Sequence, residues 1–189
     1  MDAFWISLAV IFVAELGDKS QLMAMTFATR FKPWPVLAGI TVATAVVHLV
    51  SVGLGRLAGD LIPTTAITVI AGLAFLGFAV WTLRGDELTD EEQQKASRTT
   101  RSAIVAVTVA FFLAELGDKT MLATITLATQ YGWFGTWLGS TVGMVAADAL
   151  AIVVGRMLGK HLPEKVIRYG AAAAFAVFGI LLLVEPLFA

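Results

Sequence analysis

Residues 12–30 read FVAELGDKSQLMAMTFATR, and residues 112–130 read FLAELGDKTMLATITLATQ. Eleven of these 19 positions are identical at a shift of 100 residues. The register continues without gaps: Gly55-Arg56 faces Gly155-Arg156, Gly59 faces Gly159, and Pro63 faces Pro163. The chain is an internal duplication, and each copy sets Glu-Leu-Gly-Asp-Lys inside an apolar run.

Those runs belong to a membrane. Of 189 residues, 58% are hydrophobic and 14% charged, and the mean hydropathy is +0.85. Soluble domains hold about 45–50% apolar and about 25% charged residues. A net charge of −1 gives no basic footprint for nucleic acid. The absence of cysteine excludes disulfides, thiolate metal sites and thiol redox chemistry. The Met-Asp start lacks a basic n-region and a small-residue cleavage site, so the first run is expected to be a retained helix.

Six apolar segments fit residues 3–29, 36–57, 63–84, 102–130, 133–157 and 164–186. Each reaches the roughly 20 residues that a helix needs to cross a bilayer. Pro33, Pro35, Pro63 and Pro163 fall at the breaks. Short alternating segments of a β-barrel do not match these unbroken runs. The one long polar stretch is 85–101, GDELTDEEQQKASRTTR. It reads as a charged linker, and its Thr89-Asp90-Glu91-Glu92 fits a helix capping box. The organisation expected is therefore a first three-helix repeat (1–84), a cytoplasmic linker (85–101) and a second repeat (102–189).

Three spans per repeat is odd, so the second copy must enter the membrane inverted. With the amino terminus outside, the inner side holds Arg30, Lys32, Arg84, Lys95, Arg98, Arg101, Arg156, Lys160, Lys165 and Arg168. The outer side holds only Arg56. That bias obeys the positive-inside rule, with both termini outside. The fold class expected is an all-α integral membrane protein of six transmembrane helices in two inverted three-helix repeats. Inverted repeats are a mark of secondary transporters, whose site lies near mid-membrane at the repeat interface.

Glu15 falls about 18 Å into the first segment at helical rise, and Glu115 sits at matching depth in the fourth. Asp18 and Asp118 follow at i+3, so each pair shares one helix face. Buried carboxylates in a bilayer are costly, and function is their default reading. The structural alternative is a salt bridge along each helix, Glu15 to Lys19 at i+4 and Glu115 to Lys119. Gly17 and Gly117 let the helix unwind or let a partner backbone approach closely.

An oxygen-only cluster suits a hard divalent cation such as calcium, magnesium or manganese. Glu15, Asp18, Glu115 and Asp118, offset by Lys19 and Lys119 as charge balance or gating partners, leave two negative charges. One divalent ion neutralises them, and so do two protons. The pattern therefore suits exchange of a divalent cation for protons. Ser20, Thr120, Gln21, Asp148 and His48 are candidate further ligands or relays; Asp148 and His48 occupy equivalent positions in the two copies. The threonines at 26, 29, 126 and 129 read as packing residues that bond to helix carbonyls. Met23, Met25 and Met121 read as core filler. Gly55-x-x-x-Gly59, Gly139-x-x-x-Gly143 and Gly155-x-x-x-Gly159 read as helix contact motifs, and Arg56 and Arg156 as residues snorkelling at span ends.

The doubled motif, Glu15-Leu16-Gly17-Asp18-Lys19-Ser20 and Glu115-Leu116-Gly117-Asp118-Lys119-Thr120, resembles the cation/proton exchangers catalogued as uncharacterised protein family 0016. The family pattern is Glu-x-Gly-Asp-Lys/Arg-Thr/Ser, twice, and neither copy departs from it. The resemblance covers essentially the whole chain. It implies transport of Mn²⁺, or of Ca²⁺ as in eukaryotic members, against protons, with the acidic residues of both motifs as the cation site. No cofactor is implied; the ion is cargo. The compact length suggests a bacterial manganese exporter in the inner membrane. Whether it works as a monomer or a homodimer is left open. A Ca²⁺/H⁺ antiporter of the same architecture is the nearest alternative, and a passive divalent cation channel the next. An intramembrane aspartyl protease requires Tyr-Asp and Gly-x-Gly-Asp contexts that the sequence lacks. A purely structural membrane protein would tolerate neutralisation of all four carboxylates.

Overall fold

The computed structural model describes residues 1–84, 102–158 and 164–184. The linker with its capping box, Lys160 and Pro163 lie outside the described residues. Among those described the chain is all helix: α1 (Asp2–Glu15), α2 (Lys19–Arg30), α3 (Pro33–Leu61), α4 (Thr64–Arg84), α5 (Ala103–Glu115), α6 (Lys119–Gln130), α7 (Trp133–Leu158) and α8 (Glu164–Val184). An apolar run in lipid must satisfy its backbone internally, and a helix does so within one segment. Local signals set the ends. Pro33 opens α3, where its missing N–H is no loss. Ser102 caps α5 by accepting a hydrogen bond from Val105 N–H.

Among the described residues, three helices are long and apolar enough to cross a bilayer on their own: Pro33–Leu61, Thr65–Arg84 and Trp133–Met157. The expected first and fourth segments are not single helices. Each breaks at its Glu-Leu-Gly-Asp motif into two helices of 12 to 14 residues. The cause is local: Gly17 and Gly117 adopt positive φ, 76° and 78°, which ends an α-helix.

The two copies interlock. Helix α1 of the first packs along α7 of the second, and α5 of the second packs along α3 of the first. Glycines permit the close approach. A Cβ at Gly39 would sit 2.9 Å from Ile104 O, and one at Gly143 would sit 2.6 Å from Leu8 O. Gly139, equivalent to Gly39, abuts Phe4 O, and Phe4 is the equivalent of Ile104. Gly139-x-x-x-Gly143 is thus a helix contact motif, as its spacing suggests. Helices α4 and α8 pair separately, with Gly72 against Gly179.

Among the described residues two apolar cores result, and each draws on both copies. One joins Phe27, Val36, Ile40, Val107 and Phe111. The other joins Ile11, Phe75, Leu127, Met144 and Phe175. Between them α3 crosses α7, where Thr44 Oγ1 donates to Met144 Sδ at 3.3 Å. These positions are 100 residues apart, so the relation between the copies passes through this contact. A weak sulfur acceptor contributes little. Thr44→Val is therefore expected to cost no more than about 1 kcal/mol, read as a small shift in thermal unfolding in detergent.

The four repeated threonines behave as their sequence positions suggest. Thr26 and Thr126 donate to the carbonyls of Leu22 and Leu122, while Thr29 and Thr129 donate to those of Thr26 and Thr126. Arg156 donates to Ala28 O near the end of α2, where a cation meets the negative end of the helix dipole.

Candidate cation site at the helix breaks

Each motif is a short non-helical bridge between two helices. Leu16 is extended (φ −62°, ψ 119°), Gly17 is left-handed, and Asp18 is extended (φ −80°, ψ 163°) as the N-cap of α2. The second copy repeats this: Leu116 at −64°, 114°, then Gly117, then Asp118 at −75°, 168° capping α6. Backbone N–H groups freed at the breaks are recaptured. Gly17 N–H donates to Gln21 Oε1 at 2.8 Å, and Gly117 N–H donates to Met121 Sδ at 3.2 Å. Gln21 and Met121, unlike in chemistry, perform the same service at equivalent positions.

The N-cap aspartates do not cap. Neither Asp18 nor Asp118 makes a side-chain capping hydrogen bond to the backbone of its own helix. Both carboxylates turn instead to the opposite copy. Lys119 Nζ lies 2.5 Å from Asp18 Oδ1, with both side chains buried. Lys19 Nζ lies 3.6 Å from Asp118 Oδ1, and the Lys19 side chain is 19% exposed. The helix break removes the i+4 geometry on which a Glu15–Lys19 bridge would rest, and these ion pairs run between copies. A carboxylate at a helix N-terminus is also favoured by the dipole.

The glutamates lie at the last turns of α1 and α5 and are wholly buried. Glu115 Oε2 accepts from Thr120 Oγ1 at 2.8 Å. Neither oxygen of Glu15 has a hydrogen-bond partner among the described residues. Ser20 Oγ stands 3.5 Å from Asp18 Oδ2. Glu15 lies within electrostatic reach of Glu115, Asp18, Asp148 and Asp118, and Asp148 within reach of Asp18. Asp148 is buried on α7 with neither oxygen hydrogen-bonded among the described residues. His48, its equivalent on α3, is likewise buried and without a hydrogen-bond partner there. Gln21, a candidate ligand through its amide oxygen, has that oxygen on Gly17 N–H while its Nε2 donates to Ala147 O at 2.9 Å. It ties the first break to the residue before Asp148.

The four motif carboxylates and Asp148 thus share one buried region made by both copies. In this arrangement no three acidic or imidazole groups among the described residues are close enough to hold one metal ion. Sequence reasoning missed the swapped lysine contacts and the Ala147 carbonyl. Neither had a signal in the sequence: spacing ranks i+4 neighbours, and a backbone carbonyl carries no side-chain signature.

Comparison with known proteins gives one consistent result. The family described as divalent cation/proton antiporter GDT1 matches over residues 3–90 and 103–188, one stretch in each half. A Vibrio cholerae protein named "Putative manganese exporter" is 34% identical over 95% of this chain and 90% of its own length. An Arabidopsis thaliana protein named "GDT1-like protein 5" is 29% identical over 98% and 97%. The chloroplastic "GDT1-like protein 2" of Oryza sativa is 30% identical over 94% of this chain and 59% of its own length. No solved structure matches.

Proposed function

Because the chain belongs to the divalent cation/proton antiporter GDT1 family, we propose that it exports Mn²⁺ from the cytoplasm in exchange for protons, through a site formed by Glu15, Asp18, Glu115 and Asp118. One observation carries the site. Two helix breaks, one per copy, deliver four buried carboxylates and two lysines to a region shared by both halves. Broken helices at mid-membrane are the usual construction of ion sites in secondary transporters. Four carboxylates with two lysines leave a deficit that one divalent ion or two protons can fill, so each half of the cycle is electrically closed.

The choice of manganese rests on the name of the Vibrio cholerae relative. An all-oxygen donor set accepts both Mn²⁺ and Ca²⁺. The six crossings, the inverted second copy, the outward termini and a bacterial inner-membrane location complete the reading, supported by the lysine and arginine distribution. Helix directions agree with it. Contacts of Gly139 with Phe4 and Gly143 with Leu8 run α1 parallel to α7, and contacts of Gly72 with Leu183 and Gly179 with Leu76 run α4 antiparallel to α8. A polar recess of about 440 Å³, bounded by Arg56, Asp60, Gln130 and Tyr131, opens on what is then the outer face.

Flux in proteoliposomes tests the proposal. Mn²⁺ movement is expected to follow an opposing pH gradient and to carry protons the other way. Absence of Mn²⁺ flux under any gradient, with Ca²⁺ flux present, would replace the substrate. Mn²⁺ flux indifferent to the pH gradient would make the protein a channel.

A further inference from the structure

The structure assigns the two motif lysines a role of their own: each is a tethered cation that competes with the transported ion for an aspartate of the opposite copy. The inference rests on the reading that the motif carboxylates hold the ion, and adds to it the group the ion must displace.

The geometry is reciprocal. Lys119, at the start of α6, reaches Asp18, and Lys19, at the start of α2, reaches Asp118. Each lysine follows directly on the aspartate of its own copy, yet its ammonium pairs with the other copy's aspartate. An oxygen holding an ammonium at 2.5 Å can take a divalent cation at about 2.0–2.6 Å only by setting two like charges side by side. Ion and ammonium therefore exclude one another at Asp18, and less strictly at Asp118, where the separation is 3.6 Å. This also accounts for carboxylates that share a region without converging on a single point: the lysines draw them apart in crossed pairs.

Two consequences follow. The lysines weaken ion binding, which keeps release possible from a cluster of four carboxylates. Together with two protons they also supply the charge that lets the protein return between its two orientations without Mn²⁺. The pairs are unequal. Lys119 is buried and close, whereas Lys19 is partly exposed and further away, so Asp118 is the aspartate an arriving ion reaches first.

The test uses the full-length protein and Mn²⁺ alone, in two assays. Binding is read from loss of the free Mn²⁺ paramagnetic resonance signal in detergent. Transport is read in liposomes as net Mn²⁺/H⁺ exchange and, separately, as Mn²⁺/Mn²⁺ exchange with tracer. Lys119→Gln is expected to tighten Mn²⁺ binding by at least about tenfold, the smaller end of what one adjacent charge does to a carboxylate's affinity for a proton. Mn²⁺/Mn²⁺ exchange persists, and net exchange falls at least about tenfold relative to it. Lys119→Arg, which keeps a cation there, restores the weaker binding. Lys19→Gln gives the same signs and serves if Lys119→Gln does not fold. A merely structural lysine predicts the reverse, and weaker or unchanged binding in both glutamine variants overturns the inference. Asp18→Asn is the control for the underlying site: if it binds Mn²⁺ as tightly as the unaltered protein, the carboxylate site itself is wrong. If it loses binding while the lysine variants show no tightening, only the lysine role fails.

Discussion

Glu15→Gln is expected to lower proton-coupled Mn²⁺ flux at least about 100-fold while leaving the protein as stable as before, or more so. The first half of the expectation comes from position. Glu15 is wholly buried and stands within reach of four other carboxylates, two of them paired with lysines from opposite copies. Losing an outer partner of a metal ligand costs about 10–100-fold in metal affinity or activity, and a direct oxygen ligand that also carries charge counts for more. The second half comes from the hydrogen-bond pattern. Neither Glu15 oxygen has a partner among the described residues, so the amide breaks no bond there and removes one like charge from a crowded cluster. A residue kept for stability would show the opposite signature. Flux and thermal unfolding measured on the same preparation separate the two. Glu115→Gln should lose flux to the same degree but gain less stability, because Glu115 Oε2 already accepts from Thr120. Undiminished flux in both variants would remove the carboxylates from the mechanism.

Much of this arrangement was legible in the sequence because duplication makes every feature appear twice. The shift of 100 residues aligned the motifs, the threonines and Gly55-Arg56 with Gly155-Arg156, and the structure extends the same register to contacts the sequence did not single out: Gly39 on Ile104 with Gly139 on Phe4, Thr44 on Met144. Composition was enough for the all-helical class. Hydropathy alone treated 3–29 and 102–130 as continuous, since a window average does not register three residues of changed backbone. Only Gly17 and Gly117 hinted at the breaks, and a glycine in an apolar run serves close packing equally well. The partner of each lysine was illegible for a related reason. Sequence spacing ranks i+4 neighbours, and the i+4 relation of Glu15 to Lys19 exists only in an unbroken helix. Once the chain bends at Gly17, each lysine reaches an aspartate about a hundred residues away in sequence.

Substitution at Gly117 is expected to grade transport in the order Gly > Asn > Ala > Val, with Val reducing flux roughly 30-fold or more. The argument concerns backbone alone. Gly117 has φ +78°, and a Cβ built there meets nothing within 4 Å, so packing is not at stake. In that region an L-residue pays about 1–2 kcal/mol, Asn tolerates it through local hydrogen bonding, and a β-branched residue fits worst. About 2 kcal/mol corresponds to roughly 30-fold in an equilibrium, here that between the broken helix and one rewound through the motif. Rewinding turns the chain by about 100° per residue. It would carry Asp118 and Lys119 off the face they present to the first copy and so undo both crossed ion pairs at once. The cost should appear in flux before it appears in expression, since α5 and α6 keep their own apolar contacts on either side of the break. Gly17, at φ 76°, should follow the same order. Equal transport by the Asn, Ala and Val variants would show that the left-handed turn is incidental, and that the site tolerates a continuous helix.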